Sequence, residues 1–467
     1  SIDIEIRIIE GKQARVRKVW VEGNTITNDK IIMRELHTRP GDLFSREALM
    51  RSYRELLALK FFKEESVNPE PRPNEADGTV DIVYKVEEGN TSTINLSGGY
   101  GGGIFIATAG VQLNNFSVRN IFKKDAWVPL PAGDGQKLGI NFTTNGSSYL
   151  SLSLAFTEPW LGGRRPQALS TQLYHTFYSN GLYYKPDDPK YYSLKITGAG
   201  VSFSKRLKWP DDYFVMSHGL SYKHYVLHNY NNLAAGLFSD GYANDIAYTF
   251  AISRNSFDSP YYTRRGSELS LTTSFTPPFS ALNGKDYTSA SLQEKYKWLE
   301  YYKINLTGAW MHNLIGDLVL STRFRFGWMS YYNEDIGLSP FGRYFVGGDG
   351  LSSWQLDGRE VIPLRGYENN SLSPSEGASV FDRFIFELRH PIVENSGATI
   401  WVLGFLEGGN SWSRMADFQP FKMYNSAGIG VRAFLPMIGL IGVDWGYGFD
   451  GNYGGNHFHF SIGQSID

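Results

Sequence analysis

Four sets of side chains invite a chemical reading. His224 and His228 share one face of an alternating segment, but a metal site needs a third ligand in spacing, and none follows. Asp349 and Asp357 stand in a glycine-rich stretch without the regular oxygen-ligand alternation of a calcium loop. The run from Gly98 to Gly103 has no Gly-Lys-Ser/Thr after it, so it is no phosphate cradle. Lys303, Arg323, Arg325 and Arg389 fall among small or polar residues, where a dry core would not accept single charges. There is no Ser-His-acid order and no paired-carboxylate arrangement that demands catalysis. The absence of cysteine excludes a thiol nucleophile and a disulfide scaffold. The chain reads as a non-enzyme with no cofactor and no metal.

The elements that carry these charges have a period of two. Leu150, Leu152, Leu154 and Phe156 alternate with Ser151, Ser153 and Ala155, and Phe324, Phe326 and Trp328 alternate with Arg323, Arg325 and Gly327. Alternate side chains of a strand face opposite sides of its sheet, so one face is oily and the other wet. With 50 glycines, 29 tyrosines, 30 phenylalanines and 11 tryptophans, the pattern favours a membrane barrel with its apolar face outward and a hydrated lumen that accepts the charges. No apolar run approaches the ~20 residues of a spanning helix. The longest, near 433–443, is broken by Pro436, Gly439 and Gly442. Trp20, Trp160, Trp298, Trp310 and Trp401 are candidates for headgroup belts, with core or loop packing as the rival. A net charge of −2 carries no message about nucleic acid, and none is expected as a partner.

Sixteen strands are expected after residue 90, beginning near 91, 104, 136, 149, 167, 190, 213, 242, 265, 301, 317, 380, 397, 423, 438 and 456. Long connections fall at 115–135, 278–300 and 331–379. The first does not fit the alternation of short lower turns and long upper loops, so either a strand is miscounted there or one lower turn is long.

The first ninety residues differ. Strands are expected at 14–22, 66–72 and 79–88 and helices at 28–37 and 45–62, the second with Ser45 as N-cap and Leu49, Tyr53, Leu56 and Leu57 on one face. This is a small βααββ domain at 12–90, followed by a barrel at 91–467. Residues 3–11 echo 81–89 at a spacing of 78, which suggests that 1–11 are the remnant of a preceding repeat. With Ser1 first, the chain reads as a mature or trimmed product.

A βααββ domain ending in VDIVYKVEEGNT and running into Ser97-Gly98-Gly99-Tyr100-Gly101 resembles the BamA branch of the Omp85 superfamily, the outer-membrane β-barrel assembly proteins. Glu158-Pro159-Trp160, YFVGG at 344–348, LRGY at 364–367, EGGNSW at 407–412 and FHFSIGQ at 458–464 follow in family order. Two places depart from the pattern: an insertion containing Asp349, Asp357 and Arg359 separates Gly348 from Arg365, and Ile466 and Asp467 stand where the family tends to end on an aromatic. The resemblance implies a carboxyl-terminal POTRA domain plus a 16-stranded transmembrane antiparallel β-barrel.

It also implies roles. Leu364, Arg365, Gly366 and Tyr367 would form a loop motif reaching into the lumen, with Glu387 and Glu407 as inner-wall partners of Arg365. Parity supports Glu387, because Phe384, Phe386 and Leu388 make the outer face. Removing one partner would cost ~3 to 5 kcal/mol of local stability if the pair is partly desolvated and ~0 to 1 if it is wet. Ile94, Leu96, Gly98, Gly99 and Gly101 on the first strand, and Phe458, Phe460, Ile462 and Gly463 on the last, would form the closing seam. Glycine weakens a strand, though it can equally bend a sheet at a barrel corner. The resemblance implies a seam that opens and offers its edge to an unfolded client barrel. Expected partners are such clients, the lipid bilayer of the bacterial outer membrane, and accessory lipoproteins or other assembly subunits, with the POTRA domain in the periplasm. The alternatives are a translocation and assembly module, a two-partner secretion transporter, or a passive porin.

Overall fold

The computed structural model describes residues 13–462 except 75, 90, 102–103, 125–126, 128–129, 147, 164, 232–235, 260–261, 349–358, 396–397 and 436–438. The expected remnant at 1–11, Asp349, Asp357, Gly463, Ile466 and Asp467 lie outside the described residues. Two compact units emerge, one of 1–95 with 111–140 and 155–165, the other of the remaining barrel residues.

In the first unit, β1 (Arg15–Glu22), β2 (Asn68–Asn74) and β3 (Thr79–Lys85) form a sheet in the order β1-β3-β2. The pair β1/β3 is parallel and β2/β3 antiparallel. Pro69, Pro71 and Pro73 recur at every second residue of β2, a pattern an edge strand can carry because proline has no N–H to give to a ladder. Helix α1 (Asp29–Met33) is shorter than expected, and the N–H of His37 is taken by Ser52 Oγ (2.8 Å) instead of a helical carbonyl. Helix α2 (Arg46–Ala58) starts at Ser45, whose side chain accepts from Ala48 N (3.2 Å), and buries Leu49 and Leu56. They pack on Val16, Ile32, Phe61, Ile82 and Tyr84. This βααββ domain sits at the amino-terminal end of the chain. The expectation of a carboxyl-terminal POTRA is therefore corrected, since β3 leads directly into the first barrel strand.

The same unit explains the anomalous connection. The barrel strands on either side, Ile104–Phe116 and Gln136–Thr144, are neighbours in the sheet, so the connection between them is long and no strand was miscounted. Asn115 Nδ2 donates to Thr27 Oγ1 (2.8 Å), and Asn28 N donates to Gly133 O (3.0 Å). At φ +116° Gly133 leaves no room for a Cβ, which would lie 2.5 Å from Ile26 O. The Glu158-Pro159-Trp160 corner belongs here too: Glu158 Oε1 accepts from Trp160 N (3.0 Å), and the Arg34 guanidinium lies 5.1 Å from the Trp160 ring centre.

Glu88 organises the loop that makes these contacts. Its carboxylate accepts from Thr25 N (2.9 Å), Ile26 N (2.7 Å) and Thr27 N (2.5 Å). Burial pushes its pKa up, but the hydrogen bonds from Thr27 and Thr25 outweigh that and hold it below the usual carboxylate value. A depressed folded-state pKa contributes stability above the unfolded value, and that contribution is lost as pH falls through the folded one. Glu88→Gln is expected to destabilise the domain by about 1 kcal/mol at neutral pH. Melting curves should show the gap to wild type closing as the buffer is acidified through pH ~4; a gap that is constant with pH would contradict this role.

The second architecture is a 16-stranded antiparallel barrel sheet. Its strands are β4 (Ser92–Gly101), β5 (Ile104–Phe116), β6 (Gln136–Thr144), β7 (Tyr149–Glu158), β8 (Gln167–Ser179), β9 (Ser193–Arg206), β10 (Phe214–His228), β11 (Gly241–Asn255), β12 (Gly266–Phe275), β13 (Tyr302–Ile315), β14 (Leu318–Ser330), β17 (Val380–Asn395), β18 (Ala398–Trp412), β19 (Tyr424–Leu435), β20 (Gly439–Gly448) and β21 (Asn456–Ile462). Each begins within three residues of its expected start. The loop at 331–379 contains the short parallel pair β15 (Tyr344–Val346) and β16 (Glu360–Ile362). Short helices α3 (Phe279–Asn283) and α4 (Leu292–Tyr296) fill the connection before β13. The order runs β21 to β20 and on to β4, and among the described residues no ladder joins β4 to β21.

The alternation sorts as expected. Leu152, Leu220, Phe386, Leu406, Ile429 and Val431 are exposed on the outer face. Of the five tryptophans considered for the headgroup belts, Trp310 is two-thirds exposed on that face. Trp401 is buried against Tyr262, Trp298 packs on Phe279, and Trp20 and Trp160 lie in the first unit. No helix among the described residues is long and apolar enough to cross a membrane. The expectation of a hydrated lumen needs correction. Tyr344, Val346, Ile362, Leu364, Tyr367 and Leu372 of the loop pack with Tyr178, Leu194, Tyr225 and Leu227 of the inner wall into one buried cluster. The interior is filled by the loop at this level, and the charges there are met by partners instead of bulk water.

Candidate functional site

The centre of the interior is Arg365. It follows β16 in a short irregular segment that Leu364 anchors by exchanging backbone hydrogen bonds with Gly348 (2.9 and 3.1 Å). Arg365 is fully buried. Its own N–H donates to Glu407 Oε2 (3.0 Å), Nε donates to Glu407 Oε1 (2.6 Å), Nη2 to Glu387 Oε1 (2.6 Å) and Nη1 to Asp444 Oδ2 (3.2 Å). The guanidinium carbon lies 3.6 Å from the centre of the Phe405 ring, placing the planar cation on an aromatic face. A guanidinium suits this position because its donors are fixed in a plane and diverge towards several carboxylates at once.

Each carboxylate is shared. Glu407 Oε1 also accepts from Arg383 Nη2 (3.2 Å), Glu387 Oε2 from Arg389 Nε (2.8 Å), and Asp444 from both Arg432 terminal nitrogens (2.7 Å each). Four guanidiniums thus share three carboxylates, all buried. Such a network is costly to desolvate and holds together only because nearly every lone pair has a donor. The wall positions follow from pleat parity: Ile385, Glu387 and Arg389 face in while Phe384, Phe386 and Leu388 face out. Asp444 likewise lies between outward Val443 and Trp445.

Glycine makes the approach possible. Gly366 has φ +88°, and a Cβ there would lie 2.7 Å from Gly448 N and 2.9 Å from Ser426 Cβ. From the wall, a Cβ on Gly446 would lie 2.9 Å from Gly366 N, and one on Gly448 2.3 Å from Gly366 O. Gly366 N donates to His459 Nε2 (3.0 Å), which places that ring proton on Nδ1 and ties the motif to β21. Tyr367, also fully buried, donates its hydroxyl to Asn425 O (2.7 Å).

The structure therefore brings Leu364, Arg365, Gly366, Tyr367, Glu387 and Glu407 together. Ile94 and Leu96 of β4 are exposed, as are Phe458 and Phe460 of β21. Gly98, Gly99 and Gly101 lie within β4, and Ile462 ends β21. Asp444, Arg383, Arg432, His459 and Phe405 were missed by reading the sequence. Their inward parity was legible between apolar neighbours, but nothing local says which inward charges meet. Among the described residues no metal cluster forms. His224 Nδ1 lies 2.9 Å from Asn244 Oδ1, and His228 lies 3.9 Å from Asp240.

The Omp85 superfamily domain profile matches residues 132–466, and the POTRA profile, described as a surface antigen variable number repeat, matches residues 14–89. The BamA outer membrane protein assembly factor of Nitratidesulfovibrio vulgaris is 22% identical over 99% of this chain and 53% of its own length, so the chain spans about half of that relative. The crystal structure of BamA from Haemophilus ducreyi lacking POTRA domains 1–3 shares the fold, with a TM-score of 0.62, 21% identity and coverage of 96% of this chain and 84% of that one. CdiB from Acinetobacter baumannii matches with a TM-score of 0.54, 13% identity and coverage of 96% and 74%. With its profile match extending over most of the sequence and the barrel and POTRA fold in place, this chain is a member of the Omp85 superfamily.

Proposed function

We propose that this chain assembles outer-membrane proteins: it folds client β-barrels and inserts them into the bacterial outer membrane, taking client strands at the junction of β4 and β21. The observation that carries the reading is that these strands stand at the two ends of the sheet order with no ladder between them among the described residues. An unpaired strand edge is a template for another strand. A client strand gains backbone hydrogen bonds there and buries its outward side chains in lipid, so folding free energy is the driving force and no nucleotide, cofactor or catalytic group is required. The arginine network supports the same reading, because it seats the loop on the inner wall while Gly366 holds β21 through His459. In this scheme the POTRA domain faces the periplasm and meets clients, accessory lipoproteins or other assembly subunits.

The likeness to CdiB favours a second reading, a two-partner secretion transporter, on fold alone. Depletion separates the two. An assembly factor is expected to lower many unrelated barrels together in an envelope proteome, several-fold within a few generations. Loss of one secreted partner alone would replace the proposal with the transporter, and loss of one solute's uptake would replace it with a porin.

A further inference from the structure

Strand β2 is the outer strand of the amino-terminal sheet, and no described strand pairs beyond it. A free edge of this kind is ordinarily a template for another chain. In the antiparallel ladder with β3, Asn68, Glu70, Arg72 and Asn74 stand opposite Lys85, Val83, Asp81 and Thr79, while Pro69, Pro71 and Pro73 stand opposite Tyr84, Ile82 and Val80. Val86 N donates to Glu22 O, so positions 80, 82, 84 and 86 turn their backbone groups to β1, and 79, 81, 83 and 85 turn theirs to β2. Their bonded partners are Asn68, Glu70, Arg72 and Asn74, each of which has an N–H. The three prolines therefore turn outward, and the free edge presents carbonyls at 69, 71 and 73 without an N–H. An added strand would find no donors there for its own carbonyls and would meet a ring Cδ where each hydrogen should be. The opposite edge offers little more. Val16 N donates to Asp42 O (2.9 Å), and Val16 O and Ala14 O accept from Gly41 N (2.8 Å) and Phe44 N (2.9 Å). Segment 41–44 thus occupies the first part of β1, and after the irregularity between Val16 and Lys18 the outward positions are Val19 and Val21, too few to hold a strand.

We propose that the POTRA sheet is closed to strand addition by its prolines, so that a client is captured as a strand at the junction of β4 and β21 and not on this domain. The second half of that statement rests on the assembly role proposed above; the first half does not. Clients and partner subunits then meet the POTRA domain through side chains. An unfolded barrel strand is not held there by the hydrogen bonds that it must form at the barrel.

The test uses the full chain in detergent and a synthetic peptide of the β21 sequence, NHFHFSI, with a benzophenone in place of one phenyl ring. Photocrosslinks are mapped by mass spectrometry. In the wild-type chain they are expected at 92–101. At 68–74 the yield should not exceed that of the same peptide N-methylated at alternate residues, which cannot form a ladder. Pro69→Thr, Pro71→Val and Pro73→Thr together restore three donors and should raise the yield at 68–74 by roughly tenfold or more. That gain should vanish with the methylated peptide and leave α2 unlabelled, whereas an unfolded domain would react with both peptides along its length. Should the triple variant not fold, Pro71→Val alone restores the central donor and should raise the yield about twofold. Wild-type labelling at 68–74 above the methylated control overturns the closed edge, and so does a folded triple variant that gains nothing. Loss of labelling at 92–101 with the gain at 68–74 retained supports the closed edge and sinks the junction as the capture site, so the two failures are distinct.

Discussion

Arg365→Met is expected to release the loop from the inner wall. The side chain gives up contacts to Glu407, Glu387 and Asp444 at once, and all three carboxylates stay buried. Removing one partner from a buried ion pair costs ~3 to 5 kcal/mol because the other charge is left uncompensated. Here each carboxylate keeps a second guanidinium, from Arg383, Arg389 or Arg432, so the lower end of that range applies. Even ~3 kcal/mol shifts the docked-to-undocked ratio more than a hundredfold. Limited proteolysis should then cut within 360–379 at a rate at least tens of times that of wild type, while the heat-resistant barrel band on a gel persists. A loop that stays protected in the variant would show that its apolar contacts, not the arginine, hold it.

The sharing also predicts how compensation fails. A simple pair would recover when its charges are exchanged, as Arg365→Glu with Glu387→Arg. In this network the new carboxylate at 365 would face Glu407 and Asp444, and like charges at short range in a desolvated site repel. The exchange should therefore be no better than Arg365→Glu alone. Recovery to near wild-type proteolysis would mean that Glu387 is the dominant partner.

The second large effect concerns the sheet ends. Leu96 on β4 and Phe460 on β21 both face outward and are exposed. Leu96→Cys with Phe460→Cys, oxidised in cells, is expected to stop growth and lower the levels of unrelated barrels, while either single variant grows normally. Reductant should restore both, because the disulfide only prevents separation of two strands that must part for a client to enter. Among the described residues β21 pairs with β20 from Tyr447 to Ile441, and its other edge is the one a client strand would meet. Full growth with the crosslink complete would remove the lateral route.

Strand positions were readable because the side-chain period of a strand is short-range and each outward residue is apolar for the same reason, contact with lipid. The start of α2 was readable at Ser45, whose cap is a local hydrogen bond. By contrast, the contact that seats the loop falls on glycines that were not singled out, since Gly446 and Gly448 form the floor beneath Gly366. Their alternate spacing in β20 was visible, but a missing side chain leaves the same mark whether it bends a sheet or admits a loop. The hydrated lumen was inferred from inward charges, and the loop that fills it comes from a connection with little periodicity to read.

The amino-acid order alone determined that this protein is a barrel sheet of sixteen alternating strands behind a βααββ domain, and which face of each strand carries its charges. Those are consequences of neighbours one to four residues apart. Only the tertiary structure decided that Arg365 meets Asp444, 79 positions away, and that the loop seats on glycine. Electrostatic pairing depends on distance and burial in three dimensions, and those exist only once the strands are laid side by side and the loop has folded in among them.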